Sequence, residues 1–253
     1  MSQTDIQLLA SHVLQHENEA ALYALLAVCF SSNPDAKLMR AVAHADLSGF
    51  DGLAQIEDAM RRMQAHARAL PEELKAQEAF VLDLKRDWTK LFRGVSPDYG
   101  PTAPYALLFL RSAGPEALSD IAALFIDGGY DGYQQIHDRV DGIGVGFDYL
   151  KTVSLQLAAA CTRSDAVEYK RLKLCRDEFL SQYFAPWVPE FVRRAEKFVQ
   201  TEFYAGVLEL AASVIAAFAP QGTALRSLLS EEESRRRAEA DIKAAKPDTK
   251  LAA

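Results

Sequence analysis

Three glycines alternate with other residues along one stretch of the chain, at Gly142, Gly144 and Gly146. Glycine allows backbone amides to approach a phosphate closely, so this spacing raises the question of nucleotide binding. The third glycine of a GxGxxG motif is missing, no strand pattern precedes the run, and no Lys-Ser or Lys-Thr pair follows it as in a P-loop. We therefore interpret the three glycines as a hinge or as a close contact between helices.

Two histidines near the N-terminus have the spacing of metal ligands. His12 and His16 are one helical turn apart, and Glu17 is adjacent. A third ligand does not accompany them, and the HExxH order of zinc proteases is missing. We interpret them as a solvent-exposed pair on a helix.

Motifs for covalent or acid–base catalysis are missing from the sequence. It contains no GxSxG segment, no Cys–His pairing in a recognisable context and no carboxylate pair in a glycosidase or protease setting. We therefore predict that the protein is not an enzyme and carries no cofactor of its own.

An aromatic and apolar cluster beside an irregular segment points instead to peptide binding. Trp88, Leu91 and Phe92 lie on one stripe of a predicted helix, where packing in a core explains each of them equally well. A loop rich in glycine and proline follows at 93–105, with Tyr99, Pro104 and Tyr105. Such a surface can receive an apolar peptide helix.

Three carboxylates lie in or near a second irregular segment at 138–146. Asp138, Asp141 and Asp148 are placed to meet cations at one end of a bound peptide, or to be simply solvated. The alternating glycines in this segment each weaken a helix by about 1 kcal/mol relative to alanine, so we predict a loop there.

Helical periodicity recurs along the rest of the chain, and strand alternation is almost absent. The predicted fold is an all-α single-domain bundle. The expected helices are an N-terminal set at 20–30, at 36–44 and around Ile56; one from Pro71 through Phe92; one from Leu118 to Phe125, entered at Gly114-Pro115 and stopped at Gly128-Gly129; one from Leu150 to Cys161; and two apolar stripes at 188–199 and 203–218.

The composition is that of an ordinary globular protein. Of 253 residues, 49% are apolar, and 35 acidic against 28 basic side chains give a net charge of -7, which favours a cationic partner over nucleic acid. The N-terminus lacks a signal-peptide pattern and the apolar windows are too short to span a bilayer, so we predict a cytoplasmic protein. The three cysteines are widely spaced and predict neither disulfides nor zinc: Cys29, Cys161 and Cys175.

Two consecutive segments resemble a known family. Residues 87–94, Asp-Trp-Thr-Lys-Leu-Phe-Arg-Gly, resemble the D-[YW]-x-x-L-F-x-G segment of the TorD/DmsD/NarJ redox-enzyme maturation chaperones. Residues 99–105, Tyr-Gly-Pro-Thr-Ala-Pro-Tyr, resemble the proline-rich segment ending in P-Y that follows it. The helix after Gly114-Pro115, the Gly128-Gly129 stop and residues 184–187 follow in the family's order, so the resemblance extends from about residue 19 to 218.

The chain departs from the family at its best-known signature, a P-x-D-H followed by an acidic residue and an aromatic. Asp141, Ile143 and Tyr149 match this pattern, whereas Gly142 stands in place of the histidine and Gly146 in place of the glutamate. The residues after P-Y are Ala106-Leu107 instead of E-S. The resemblance therefore identifies a divergent member.

The resemblance implies a cytoplasmic chaperone for the precursor of a molybdenum-containing oxidoreductase. Such a chaperone binds the twin-arginine leader of its client, delays export and assists insertion of molybdopterin guanine dinucleotide, which the client carries. We expect an N-terminal segment at 1–18, a chaperone domain at 19–222 and a charged C-terminal helix or tail at 223–253. The expected peptide-binding residues are Trp88, Leu91, Phe92, Pro104, Tyr105, Asp141 and Tyr149, and the expected hinge residues are Gly142, Gly144 and Gly146.

Two other interpretations remain open at this point. The same groove can serve a general protein-interaction bundle, and the glycine run can serve a guanine-nucleotide-binding protein. The resemblance also implies either a monomer or a dimer formed by exchange of helical halves.

Overall fold

The computed structural model describes residues 3–50, 52–95, 98–110, 114, 116–132 and 138–220, and these residues form an all-α bundle without a strand. This confirms the predicted fold class. The α-helices within these ranges are α1 Gln3–Ser31, α2 Ala36–Ala43, α3 Ala54–Arg68, α4 Leu74–Phe92, α5 Glu116–Asp127, α6 Ile143–Thr162, α7 Ala166–Phe179, α8 Val188–Ala195 and α9 Glu202–Phe218. Among the described helices, none combines the length and the apolar character that a membrane crossing requires.

Two helix pairs organise the bundle, α1 with α6 and α3 with α9. A cluster of aromatic rings joins α1 and α6 to two further helices, α4 and α8. Phe30 of α1 lies 4.8 Å from Phe92 of α4 and 5.8 Å from Phe147 of α6, measured between ring centroids, and Phe92 lies 6.3 Å from Phe191 of α8. Four helices thus meet at one aromatic cluster, which fixes the end of α4 relative to the start of α6.

Local sequence signals explain several of the helix ends. Asp35 caps α2 by accepting from the Leu38 amide, and Thr201 caps α9 by accepting from the Tyr204 amide. Gly129, with a φ of +65°, follows α5 as the predicted stop requires. The predicted helices at 36–44 and 203–218 and the helix containing Leu118 and Phe125 are confirmed.

Four predictions about the elements were wrong in their details. The first helix is much longer than 20–30, and α4 begins at Leu74, after its cap Glu73, and not at Pro71. α8 ends at Ala195, so the stripe predicted to reach Val199 does not continue as one helix. α6 begins at Ile143, where a loop was expected, because its first turns are packed against neighbouring helices.

His16 contradicts the interpretation of an exposed histidine pair. Its side chain is 2% exposed, and it lies 3.4 Å from Glu19 and 3.2 Å from the Tyr169 hydroxyl of α7. The three cysteines are free thiols buried in the bundle. Among the residues placed by the structure, no group of three or more His, Cys, Asp or Glu side chains could hold a metal ion.

Residues 1–219 form one compact unit, and residues 220–253 form a second unit. The predicted boundary between residues 18 and 19 falls inside α1, which passes through it without a break. The charged segment predicted at 223–253 lies outside the described residues. The domain boundaries thus stay a prediction.

Candidate functional site

Asp87, the first residue of the family-like segment 87–94, is fully buried in α4. Its carboxylate accepts hydrogen bonds from the Gln200 amide at 3.1 Å, from the Thr201 amide at 2.8 Å and from the Thr201 hydroxyl at 2.7 Å. These donors lie just before α9, and helix N-termini favour negative charge. Asp87 therefore fastens α4 to the start of α9 and is not available to a ligand.

The three apolar residues predicted for peptide binding on α4 face inward. Leu91 is 0% and Phe92 4% exposed, so both belong to the core in this conformation and present no surface to a peptide. Trp88 is 6% exposed, its indole N–H has no hydrogen-bond partner among the residues that the structure describes, and the Arg93 guanidinium lies 5.6 Å from its ring. Of these three residues, Trp88 is thus the most exposed.

The glycine- and proline-rich loop returns to the start of α6. The Ala106 amide donates to the Asp141 carbonyl at 2.9 Å, and the Ile143 amide donates to the Pro104 carbonyl at 3.0 Å. These two bonds form an isolated antiparallel bridge between Tyr105 and Gly142. The structure therefore joins the two irregular segments that the sequence separates by more than thirty residues.

A guanidinium occupies the junction of these segments. Arg139 donates from Nε to one oxygen of Asp141 at 2.8 Å and from Nη2 to the other at 2.9 Å, and its guanidinium lies 4.7 Å from the Tyr105 ring centroid. The Leu107 amide donates to the same Asp141 carboxylate at 3.1 Å, and the Tyr105 hydroxyl donates to Asp138 at 2.9 Å. Hydrogen bonding to Asp141 raises the pKa of Arg139 further above its ordinary value.

Burial is uneven across this ion pair. The Asp141 side chain is 0% exposed, whereas that of Arg139 is 47% exposed. Asp141 was predicted to meet an arginine of a bound peptide, and in the structure its two oxygens are already engaged by Arg139 and by the backbone. An arginine from outside would have to take the place of Arg139.

Tyr149 lies apart from this junction, within the core. It is 0% exposed, and its ring centroid lies 4.7 Å from that of Phe125 and 4.8 Å from that of Phe179. Asp148, next to it, accepts from the Tyr130 hydroxyl at 2.9 Å and pairs with Lys151. Neither residue faces a groove shared with Tyr105 in this conformation.

The three glycines form no phosphate-binding loop. Gly142 precedes the first residue of α6, and its amide donates to the Arg139 carbonyl, while the Gly146 amide donates to the Gly142 carbonyl. A Cβ at Gly146 would lie 2.2 Å from the Phe184 ring, so this glycine permits close packing. The packing at Gly146 agrees with the interpretation of the run as a close contact between helices. The alternative interpretation, a hinge, stays a prediction.

An apolar surface that the prediction missed follows the bridge. Leu107, Phe109 and Leu110 are partly exposed and Leu108 is 49% exposed, in the short turn where the family has E-S after P-Y. Phe109 stacks on the buried Trp187 with ring centroids 5.4 Å apart, and Arg194 lies 5.1 Å from its ring. Four consecutive apolar residues at 107–110 are visible in the sequence and were the available signal.

The predicted site is therefore brought together only in part. Pro104, Tyr105 and Asp141 meet at the junction of 104–110 with 138–143, and Trp88 lies at the end of α4 beneath Arg93. Leu91, Phe92 and Tyr149 are core residues. We name the surface made by Tyr105, Leu107, Leu108, Arg139 and Asp141 the junction surface.

Comparison with protein-family profiles identifies a family for this chain. A family profile described as nitrate reductase delta subunit matches residues 54–193, from the first residue of α3 into α8, and includes every predicted peptide-binding residue. The comparison with curated proteins finds no match. The profile covers more than half of the chain and agrees with the TorD/NarJ-like segments at 87–94 and 99–105. The chain therefore belongs to the nitrate reductase delta subunit family, the TorD/NarJ-like maturation chaperones of molybdenum-containing oxidoreductases.

Proposed function

We propose that this protein binds the leader or N-terminus of a molybdenum oxidoreductase precursor in the cytoplasm. It holds the precursor while molybdopterin guanine dinucleotide is inserted into the client, and it thereby prevents premature export. The protein itself catalyses no step. Family membership supports the chaperone role, and the junction surface supports the choice of ligand.

The observation that carries the proposal is the binding of a guanidinium beside exposed apolar residues. Asp141 and Tyr105 hold the Arg139 guanidinium by two hydrogen bonds and a ring face, which is the geometry that favours arginine over lysine. Leu107 and Leu108 follow directly and offer apolar contact. A twin-arginine leader combines an arginine pair with an apolar stretch, so it matches both parts of this surface.

The chaperone proposal is tested by peptide binding to the full chain. A synthetic leader with two arginines followed by an apolar stretch is titrated by fluorescence anisotropy, next to the same peptide with two lysines. We expect the arginine peptide to bind with a Kd on the order of micromolar, and the lysine peptide about tenfold more weakly, because lysine cannot make the bidentate contact. Equal binding of both peptides would indicate a general interaction bundle instead.

The apolar part of the surface is tested by Leu108→Ser. Leu108 is 49% exposed, and Leu82 on α4 is 46% exposed and lies outside the junction surface, so Leu82→Ser is the matched control. We expect Leu108→Ser to weaken leader binding about fivefold and the control to leave it unchanged, since burying a leucine side chain contributes about 1.5–3 kcal/mol when complete. If the two variants bind the leader with equal affinity, residues 107–110 do not contact the apolar stretch of the leader.

A further inference from the structure

The Arg139–Asp141 pair has an exchangeable partner and a fixed one. Asp141 is held by its backbone carbonyl, which accepts from Ala106, and by its side chain, which accepts from the Leu107 amide; it immediately precedes the Gly142 cap of α6. Its carboxylate is 0% exposed and cannot be solvated where it stands. Besides Arg139, one backbone amide, that of Leu107, donates to this carboxylate, and a buried charge that loses its cation is costly, so the position favours a replacement cation when Arg139 leaves.

Arg139 has the opposite properties. Its side chain is 47% exposed, and it lies four residues before the first residue of α6, outside any helix. When it leaves Asp141, its guanidinium can be solvated at little cost, because it is already half in water. Only the Arg139 half of the pair is in contact with solvent, so a second guanidinium would have to approach Asp141 from that side.

We propose that Arg139 is an internal placeholder, which fills the guanidinium position of the junction surface and is displaced by an arginine of the client. The proposal rests on the proposed function for the identity of the client arginine. It assigns to Arg139 an inhibitory role: the chaperone binds only a ligand that supplies the same bidentate, ring-stacked contact. A ligand with lysine or with apolar groups alone cannot displace it.

The placeholder makes a prediction about small molecules that does not depend on the leader. In Arg139→Ala, the Asp141 carboxylate is left without its cation, and methylguanidinium can enter. We expect methylguanidinium to raise the thermal midpoint of Arg139→Ala and to leave wild type unchanged, with methylammonium at equal concentration as the ionic control. The double variant Arg139→Ala/Asp141→Asn removes the carboxylate and is expected to lose the response.

The same variants make a prediction about the leader. Removing an internal competitor increases the fraction of molecules with an open site, so Arg139→Ala should bind the arginine peptide about five- to tenfold more tightly than wild type does. Arg139→Lys keeps the charge and loses the planar fork, and it is expected to fall between the two; it serves if Arg139→Ala does not fold. Arg86→Gln, which removes an exposed arginine paired with Asp83 elsewhere on α4, is the matched control and should bind as wild type.

The outcomes separate this inference from the proposed function. Leader binding that is unchanged or weakened in both Arg139→Ala and Arg139→Lys would overturn the placeholder and leave the chaperone proposal standing. A methylguanidinium response in Arg139→Ala without leader binding by any variant would support a guanidinium site and overturn the choice of ligand. If methylguanidinium does not raise the thermal midpoint of Arg139→Ala, or raises it no more than methylammonium does, that result alone would overturn the placeholder.

Discussion

Asp87 shows how a family-like residue serves the fold at the scale of a single side chain. The carboxylate accepts from two consecutive backbone amides and one hydroxyl, all just before α9, and no water reaches it. Asp87 belongs to the family-like segment 87–94, but in the structure its contacts hold α4 against the start of α9. Trp88, the next residue, is thereby held at the end of α4.

Asp87→Asn is expected to destabilise the fold, although the asparagine side chain has nearly the same size and shape as the aspartate. The asparagine amide nitrogen would face backbone N–H groups, and hydrogen bonds to a charged group contribute about 1.5–3 kcal/mol, so the free energy of unfolding should fall by about 2 kcal/mol. Urea denaturation measures this. Asp83→Asn, at an exposed position of the same helix, is the control and should change stability by less than about 0.5 kcal/mol. Equal effects would show that the buried contacts contribute little.

A buried charge cluster joins two elements, α1 and α7. Glu19 accepts from Arg176 at 2.9 Å and from Gln15 at 2.9 Å, and it lies 3.4 Å from His16. Arg176 also pairs with Asp177. Burial alone would raise the pKa of Glu19, but the hydrogen bond from His16 and the charge of Arg176 lower it below its ordinary value of 4.5.

The lowered pKa of Glu19 predicts acid sensitivity of the contact between α1 and α7. A carboxylate whose pKa is lowered by folding stabilises the fold above its unfolded-state pKa of 4.5, and this stabilisation is lost as the pH falls through the folded-state value. Glu19→Gln should therefore flatten the decline of unfolding free energy on acidification from neutral pH. It should also cost about 3 kcal/mol at neutral pH, because Arg176 loses a partner.

Urea denaturation at several pH values measures both effects of Glu19→Gln. The exposed neighbour Glu17 provides the control, since Glu17→Gln leaves the cluster intact and should keep the wild-type pH profile. A Glu19→Gln profile parallel to that of wild type would show that other carboxylates set the acid response.

The first turns of α6 make a separate prediction about packing. A Cβ at Gly146 would lie 2.2 Å from the ring of Phe184, which is 2% exposed, whereas a Cβ at Gly144 would meet chiefly the hydroxyl of the exposed Ser31 at 2.1 Å. A hydroxyl can rotate away and a buried ring cannot. Gly146→Ala should lower the free energy of unfolding by about 2 kcal/mol, and Gly144→Ala by less than about 1 kcal/mol.

Thermal and urea unfolding of the two glycine variants compare them directly. A larger loss in Gly144→Ala than in Gly146→Ala would contradict the packing account. Tolerance of both substitutions would favour the hinge that was predicted for the run.

Periodicity predicted most helices, because their apolar faces repeat with the helical spacing and their ends carry caps. The start of α6 was missed because glycine is read as a helix breaker, while here it permits close approach to Phe184. His16 was missed because its partner, Tyr169, is more than one hundred and fifty positions away. At the site, Tyr105 and Asp141 were predicted to belong to one surface and do meet, whereas the partner of Asp141, an arginine two residues earlier, was overlooked.

At the scale of the whole molecule, local and net charge differ. The net charge of -7 favoured a cationic ligand. Yet the aromatic rings around the junction surface are faced by the chain's own cations, with Arg93 at Trp88, Arg139 at Tyr105 and Arg194 at Phe109. If Arg139 is a placeholder as proposed, selectivity at this surface would depend on exchange between arginines and not on long-range attraction.

Residues 1–219 form one compact unit, and the hydrophobic core of the described residues lies within it, so we predict that this unit folds independently. A chain shortened to residues 1–220 should unfold cooperatively, with a thermal midpoint within about 2 °C of the full chain, and should keep its leader affinity. Calorimetry and peptide titration measure the two properties. A lowered midpoint or a loss of leader binding would assign a role to residues 221–253.

Light scattering on the same samples tests whether the protein forms the dimer predicted to arise by exchange of helical halves.

The bridge between Tyr105 and Gly142 offers a way to detect ligand binding at the junction surface. Its two backbone bonds, from the Ala106 amide to Asp141 and from the Ile143 amide to Pro104, involve or adjoin Asp141 and Tyr105, which Arg139 contacts. Deuterium uptake at these two amides therefore reports on the site without any label on the ligand. Because Ile143 is the first residue of α6, which packs along α1, exchange at its amide would also report whether the start of that helix opens.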